Sequence, residues 1–145
     1  MSIRASRYHD FCAGHTVTGH ESKCAHMHGH NYRVHFEVQA EGNTNDLDAV
    51  GRVLDFSVIK EKLCDWLEAN WDHKFLIWER DLRAGAILEI DPAGTVIVPF
   101  NPTAENMGQY ILDVVAPTAL AGTGCYLRKV VIEETRKCSV TVENN

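Results

Sequence analysis

Between Asn31 and Glu41 the chain alternates without a break: Tyr32, Val34, Phe36, Val38 and Ala40 share one parity, and Arg33, His35, Glu37, Gln39 and Glu41 the other. Successive side chains of a strand point to opposite faces, so this pattern calls for a strand with one buried and one wetted face. The stretch from about Ile3 to His15 can pair with it antiparallel, because the Gly-, Ser- and charge-bearing segment from His15 to Cys24 reads as a loop. Two long strands therefore open the fold.

Helical periodicity follows. Asp55 is suited to cap a helix in which Phe56, Ile59, Leu63, Trp66 and Leu67 recur on one face. A second helix is expected after Asn101-Pro102-Thr103, with Met107, Tyr110, Ile111, Val114 and Val115 on one face and Pro117 at its end. Between them, Asp91-Pro92-Ala93-Gly94 flanked by Ile87-Leu88 and Val96-Ile97-Val98 suggests a short hairpin or extended excursion within Phe75 to Phe100. Tyr126 to Thr135 and Cys138 to Val142 give two closing strands. The expected architecture is α+β: a four-stranded antiparallel sheet with two helices on one face, in the order ββ-α-α-ββ. With 145 residues, 45% of them apolar and only four prolines, residues 1–145 are expected to form one domain.

Several function classes drop out. A formal charge of -6 opposes a polyanion, so no nucleic-acid partner is expected. No segment approaches the roughly 20 apolar residues that span a bilayer, so no membrane partner is expected and a cytoplasmic location is the default. The five cysteines, Cys12, Cys24, Cys64, Cys125 and Cys138, contain no C-x-x-C pair, and reduced thiols are the simpler reading.

Six of the eight histidines, His9, His15, His20, His26, His28 and His30, fall within 22 residues. His28 and His30 precede the strand at a spacing of two, which aims both imidazoles at one face. Taken alone, such a pair is more often surface or satisfied core histidine. His15 shares its parity with Phe11 and Ala13 on the preceding strand and can complete a set of three, the number typical of a catalytic zinc site that keeps one position open. Periodicity leaves His26 open as an alternative ligand, with His9 and His20 as weaker competitors. Cys24, four residues before His28, would lie near the ion, where positive charge favours a thiolate. By spacing alone it is equally a candidate base, a fourth ligand or a small buried side chain.

Phe11-Cys12-Ala13-Gly14-His15 and Cys24-Ala25-His26-Met27-His28-Gly29-His30-Asn31-Tyr32 resemble the metal-binding half of the 6-carboxytetrahydropterin and 6-pyruvoyltetrahydropterin synthase family. Val53-Leu54-Asp55-Phe56, Trp71-Asp72-His73, Pro102-Thr103-Ala104-Glu105-Asn106 and Glu134-Thr135 match the remaining motifs in order. The C-x-x-x-H-G-H spacing is similar to the queuosine-pathway branch; the animal type has a longer spacing, and a folate-pathway branch carries Glu where this chain has Ala25.

The resemblance implies the tunnelling fold, a homo-oligomer (a hexamer favoured) with active sites at subunit interfaces, and bound Zn2+. It further implies conversion of the small-molecule substrate 7,8-dihydroneopterin triphosphate to 6-carboxy-5,6,7,8-tetrahydropterin, acetaldehyde and triphosphate, a step toward queuosine and other deazapurines. In that scheme His15, His28 and His30 hold the metal, Cys24 is the base, and His73 relays protons with Asp72. Glu134 anchors the pterin, as its parity with Val130 and Ile132 allows. Glu133 is the expected solvent-facing charge, while Thr103 and Glu105 are explained by helix capping. Two departures stand out: the length of the segment between His73 and Pro102, and the extra His26. The rivals are the pyruvoyl-forming reaction on the same scaffold and a non-catalytic zinc-binding assembly protein. A zinc deaminase is disfavoured because the H-x-E and P-C-x-x-C pattern is absent.

Overall fold

A computed structural model describes the backbone of residues 1–145 and every side chain except that of Asn43. Strands β1 (Ala5–His15) and β2 (His28–Ala40) form the long antiparallel pair that opens the chain. β2 starts earlier than its alternating run, so His28 and His30 are both strand residues. Phe11, Ala13, Tyr32, Val34, Phe36 and Val38 all turn to the buried face. Strand β5 (Cys125–Glu133) pairs antiparallel with β2, and β6 (Ser139–Glu143) with β5. A register shift between Glu37 and Val38 keeps Val38 opposite Leu127 and Phe36 opposite Val130, so both strands hold their apolar residues on the covered face.

The expected four-stranded antiparallel sheet with two helices is incorrect: the sheet has six strands and is mixed, and three helices accompany it. The difference lies in the segment read as a hairpin or extended excursion. Lys74–Trp78 forms β3, parallel to β1, and Thr95–Val98 forms β4, parallel to β3, giving the order β4-β3-β1-β2-β5-β6. Parallel neighbours need a crossover, and the helix Ala84–Ile90 supplies it. Ile87 and Leu88 therefore belong to a helix rather than to one arm of a hairpin. Asp91 ends that helix: its Oδ1 accepts the Gly94 N–H (3.0 Å) and its carbonyl accepts Thr95 Oγ1–H (2.7 Å), which redirects the chain into β4. Alternation failed to mark β3 because Leu76 and Ile77, adjacent and on opposite faces, are both fully buried.

The other two helices cover the sheet. Helix α1 spans 56–70 as Phe56–Ile59, a wider π-wound turn Lys60–Cys64, and Asp65–Asn70. Asp55 caps it by accepting the Ser57 N–H, and Ile59, Leu63 and Leu67 are buried while Phe56 stays exposed. With the crossover helix Ala84–Ile90 as α2, helix α3 spans 104–119, capped by Thr103 Oγ1, which accepts the Asn106 N–H. Pro117 does not end α3, which runs on to Ala119; the π-wound turn Ile111–Val115 just before it relieves the clash that a proline ring makes in a regular helix.

If β3 is part of the core rather than a surface excursion, Leu76→Ala should cost about 2–5 kcal/mol in urea unfolding. A cost under about 0.5 kcal/mol, as for surface substitutions, would contradict this packing.

Candidate active site

At the open end of β1 and β2 the register sets His15 directly opposite His28, and Ala13 opposite His30. Strand parity then turns all three imidazoles to the covered face, where one ligand nitrogen from each lies within 4.8 Å of the others. His15 Nε2 and His28 Nε2 are 3.0 Å apart. Their remaining nitrogens are tied to backbone: His15 Nδ1–H donates to the Pro102 carbonyl (2.7 Å) and His28 Nδ1–H to the His26 carbonyl (2.7 Å). Such outer bonds fix the tautomer and leave Nε2 as a lone-pair donor.

His30 Nε2 is buried and makes no hydrogen bond, although Glu134 Oε1 lies 3.1 Å away, outside the ring's hydrogen-bonding direction. An orphaned buried nitrogen within a three-imidazole cluster fits a metal ion, which would turn that cost into a bond. Electrostatics agree. Burial, reinforced by the neighbouring imidazoles, pushes His15 down to about 4 against the bond to Pro102 that favours its charged form. Burial likewise lowers His30 despite the Glu134 carboxylate. Neutral imidazoles are what a metal requires.

The competing histidines are otherwise engaged. His26 is exposed and contributes its carbonyl; His9 Nε2 pairs with Glu68; His20 Nδ1 accepts the Ser22 N–H. Cys24 sits half-buried in the short helical turn Lys23–Ala25. That turn is fastened from outside by the crossover segment. Arg83 Nη1 donates to the Ala25 carbonyl (3.2 Å) and Nη2 to Thr16 Oγ1 (3.0 Å), while buried Asp81 accepts from Arg83 and from Thr18 Oγ1. The Arg83 guanidinium holds the Asp81 carboxyl well below the usual carboxylate range. Asn101 clamps the same loop through both Thr18 backbone groups.

Asp72 and His73 lie adjacent where α1 gives way to β3, with His73 Nδ1 2.8 Å from Asp72 Oδ2. Among the described residues the thiol beside this pair is that of Cys12, not Cys24. Sequence reasoning passed over Cys12, whose parity opposite to His15 places it on the open face of the sheet. Glu134 stands beside His30 on the covered face, and Glu133 pairs with His35 on the open one.

The family model for 6-pyruvoyl tetrahydropterin synthase spans residues 4–145 of the chain. The chain belongs to the 6-pyruvoyl tetrahydropterin synthase family. Within it, the chain is 32% identical over 142 residues to the 6-carboxy-5,6,7,8-tetrahydropterin synthase of Rickettsia typhi, covering 97% of this chain and 99% of that protein. The corresponding protein of Haemophilus influenzae is 29% identical over 118 residues, covering 77% and 80%. Among solved structures, an uncharacterized protein from Wolinella succinogenes superposes with a TM-score of 0.85 at 21% identity, covering 100% and 99%. The 6-pyruvoyl tetrahydropterin synthase of Caenorhabditis elegans does so at 0.67 and 22%, covering 99% and 96%. These last two likenesses support the shared fold.

The depressed His15 has a consequence for the metal-free protein. Between pH 6.5 and about 4 the unfolded chain binds a proton that folded His15 refuses, so stability present above pH 6.5 is lost as pH falls through this window. The loss is of order 3 kcal/mol, read from urea midpoints at pH 7 and 4.5. A His15→Gln variant should show a correspondingly shallower pH slope; an unchanged slope would contradict the assignment.

Proposed function

We propose that this chain is a zinc-dependent 6-carboxy-5,6,7,8-tetrahydropterin synthase. On this reading it converts 7,8-dihydroneopterin triphosphate to 6-carboxytetrahydropterin, acetaldehyde and triphosphate on the way to queuosine-type deazapurines. The observation that carries the proposal is the convergence of His15, His28 and His30 on one point, in a chain matched along 97% of its length by synthases of that name. Three imidazoles with no fourth protein donor in their cluster among the described residues suit zinc in an open, catalytic site. Bound there, the ion would polarise side-chain oxygens of the substrate and acidify the adjacent C–H and O–H groups.

The chain's own residues supply the rest. Glu134 would accept two hydrogen bonds from the amidine-like edge of the pterin, which fixes the ring next to His30. Cys24 would take the proton from the side chain of the substrate, held in place by the Arg83 and Thr16 bonds to Ala25. His73, oriented by Asp72, would pass protons onward. Because the thiol next to His73 in the same chain is Cys12, the Asp72–His73 pair serving Cys24 would come from a neighbouring subunit. That agrees with a homo-oligomer, a hexamer favoured, whose sites lie between chains.

The pyruvoyl-forming reaction is the second reading, favoured by the family description itself. Incubating metal-loaded protein with 7,8-dihydroneopterin triphosphate and weighing the products separates the two. Carboxy product with acetaldehyde is expected; pyruvoyl product without acetaldehyde would overturn the first reading. Cys24→Ala should retain metal and fold but lose turnover by about 10²–10⁴-fold. Absence of turnover in the unaltered protein would instead favour a non-catalytic zinc-binding assembly protein.

A further inference from the structure

The register shift in β5 has a second effect, on the open face of the sheet. Lys129 pairs with Glu37 and Leu127 with Val38, so Arg128 is an extra residue, a β-bulge. Leu127 and Val130 are both buried on the covered face, which turns the consecutive cations Arg128 and Lys129 together to the open one. Gln39, of open-face parity on β2, is only 3% exposed. Arg4, just before the Ala5–Val38 pair that opens the β1–β2 ladder, stands beside it.

The two arginines meet at one carboxylate oxygen: Glu143 Oε1 is 3.5 Å from Arg4 Nη1 and 3.3 Å from Arg128 Nη1. Glu37 takes Arg4 Nη1 at Oε1 (3.4 Å) and Lys129 Nζ at Oε2 (2.9 Å). Three cationic side chains thus face two carboxylate side chains. Among the described residues, Arg4 Nε, Arg128 Nη1 and Gln39 Oε1 are buried without a hydrogen bond. Arg4, Gln39 and Arg128 line one cleft of about 460 Å³, rimmed by Met1, Ser2 and Asn145.

Buried polar groups without partners are costly, and two cationic donors beside one acceptor call for a ligand that accepts from the first and donates to the second. We propose that this cleft binds a small oxyanion that carries an O–H, of the hydrogenphosphate class. The surplus positive charge balances the anion, Arg4 and Arg128 donate N–H groups to its oxygens, and its O–H donates to Gln39 Oε1. The ligand bridges β1, β2 and β5 where the bulge interrupts their ladder. The site is distinct from the histidine cluster, because Gln39 lies roughly 35 Å along β2 from His28.

Equilibrium dialysis of the full chain against radiolabelled inorganic phosphate, at pH 7 and low salt, tests this without reference to turnover. Saturable uptake of one phosphate per chain is expected. Arg4→Gln and Arg128→Gln should each weaken it at least ~10-fold. Arg4 precedes β1, so its variant reads the site even where Arg128→Gln disturbs the bulge. Sulfate, which has no O–H at this pH, should compete ~10-fold less well than unlabelled phosphate because it leaves Gln39 unmet. Chelator treatment and His28→Ala, which remove any contribution of the metal site, should leave the affinity unchanged. Uptake that does not saturate would mean that solvent alone meets these groups and would overturn the proposal. So would an affinity indifferent to both arginine substitutions, equal competition by sulfate, or loss of binding in His28→Ala.

Discussion

The antiparallel register of β1 on β2 is the constraint from which the site follows. Pairing His15 with His28 and Ala13 with His30 places three imidazoles on one face at the end of the ladder. A slip by one residue would turn the β2 pair to the opposite face while burying Arg33, His35 and Glu37 against the helices. Convergence of the three imidazoles and core packing therefore demand the same register. Gly29, directly opposite Gly14, adds to this: a Cβ there would lie 3.1 Å from the Ala13 carbonyl, so the strands close up just where the imidazoles must meet.

Around that pair, each neighbouring element holds one component of the site. The turn before α3 offers the Pro102 carbonyl to His15, and Asn101 offers its side chain to the Thr18 backbone. β5 brings Glu134 to His30, and the end of α1 brings Asp72 and His73 to Cys12. The β3-α2-β4 crossover, with no evident purpose in the linear sequence, has two. It extends the sheet on the β1 side, and through buried Asp81 and Arg83 it anchors the loop that carries Cys24.

Much of this was legible in the residues, and the failures have physical causes. Period-two alternation marked β2 because only one of its faces is buried. Leu76 and Ile77, buried on both faces, gave no alternation, so β3 and the parallel half of the sheet went unseen. Ile87 and Leu88 looked extended because a seven-residue helix offers too few turns for its period to show. The histidine trio was readable from parity, but the exclusion of His26 was not: its carbonyl, rather than its ring, serves His28. Cys12 meets Asp72 and His73 across 60 residues of chain, a contact that no local pattern encodes.

On the proposed reading His15, His28 and His30 make an open metal site, with no other side chain among the described residues in their cluster. X-ray absorption at the zinc edge of the metal-loaded protein tests it most directly. Three imidazole nitrogens and one exchangeable oxygen at about 2.0–2.1 Å are expected. A sulfur ligand at about 2.3 Å, or a first shell filled entirely by protein atoms, would contradict it.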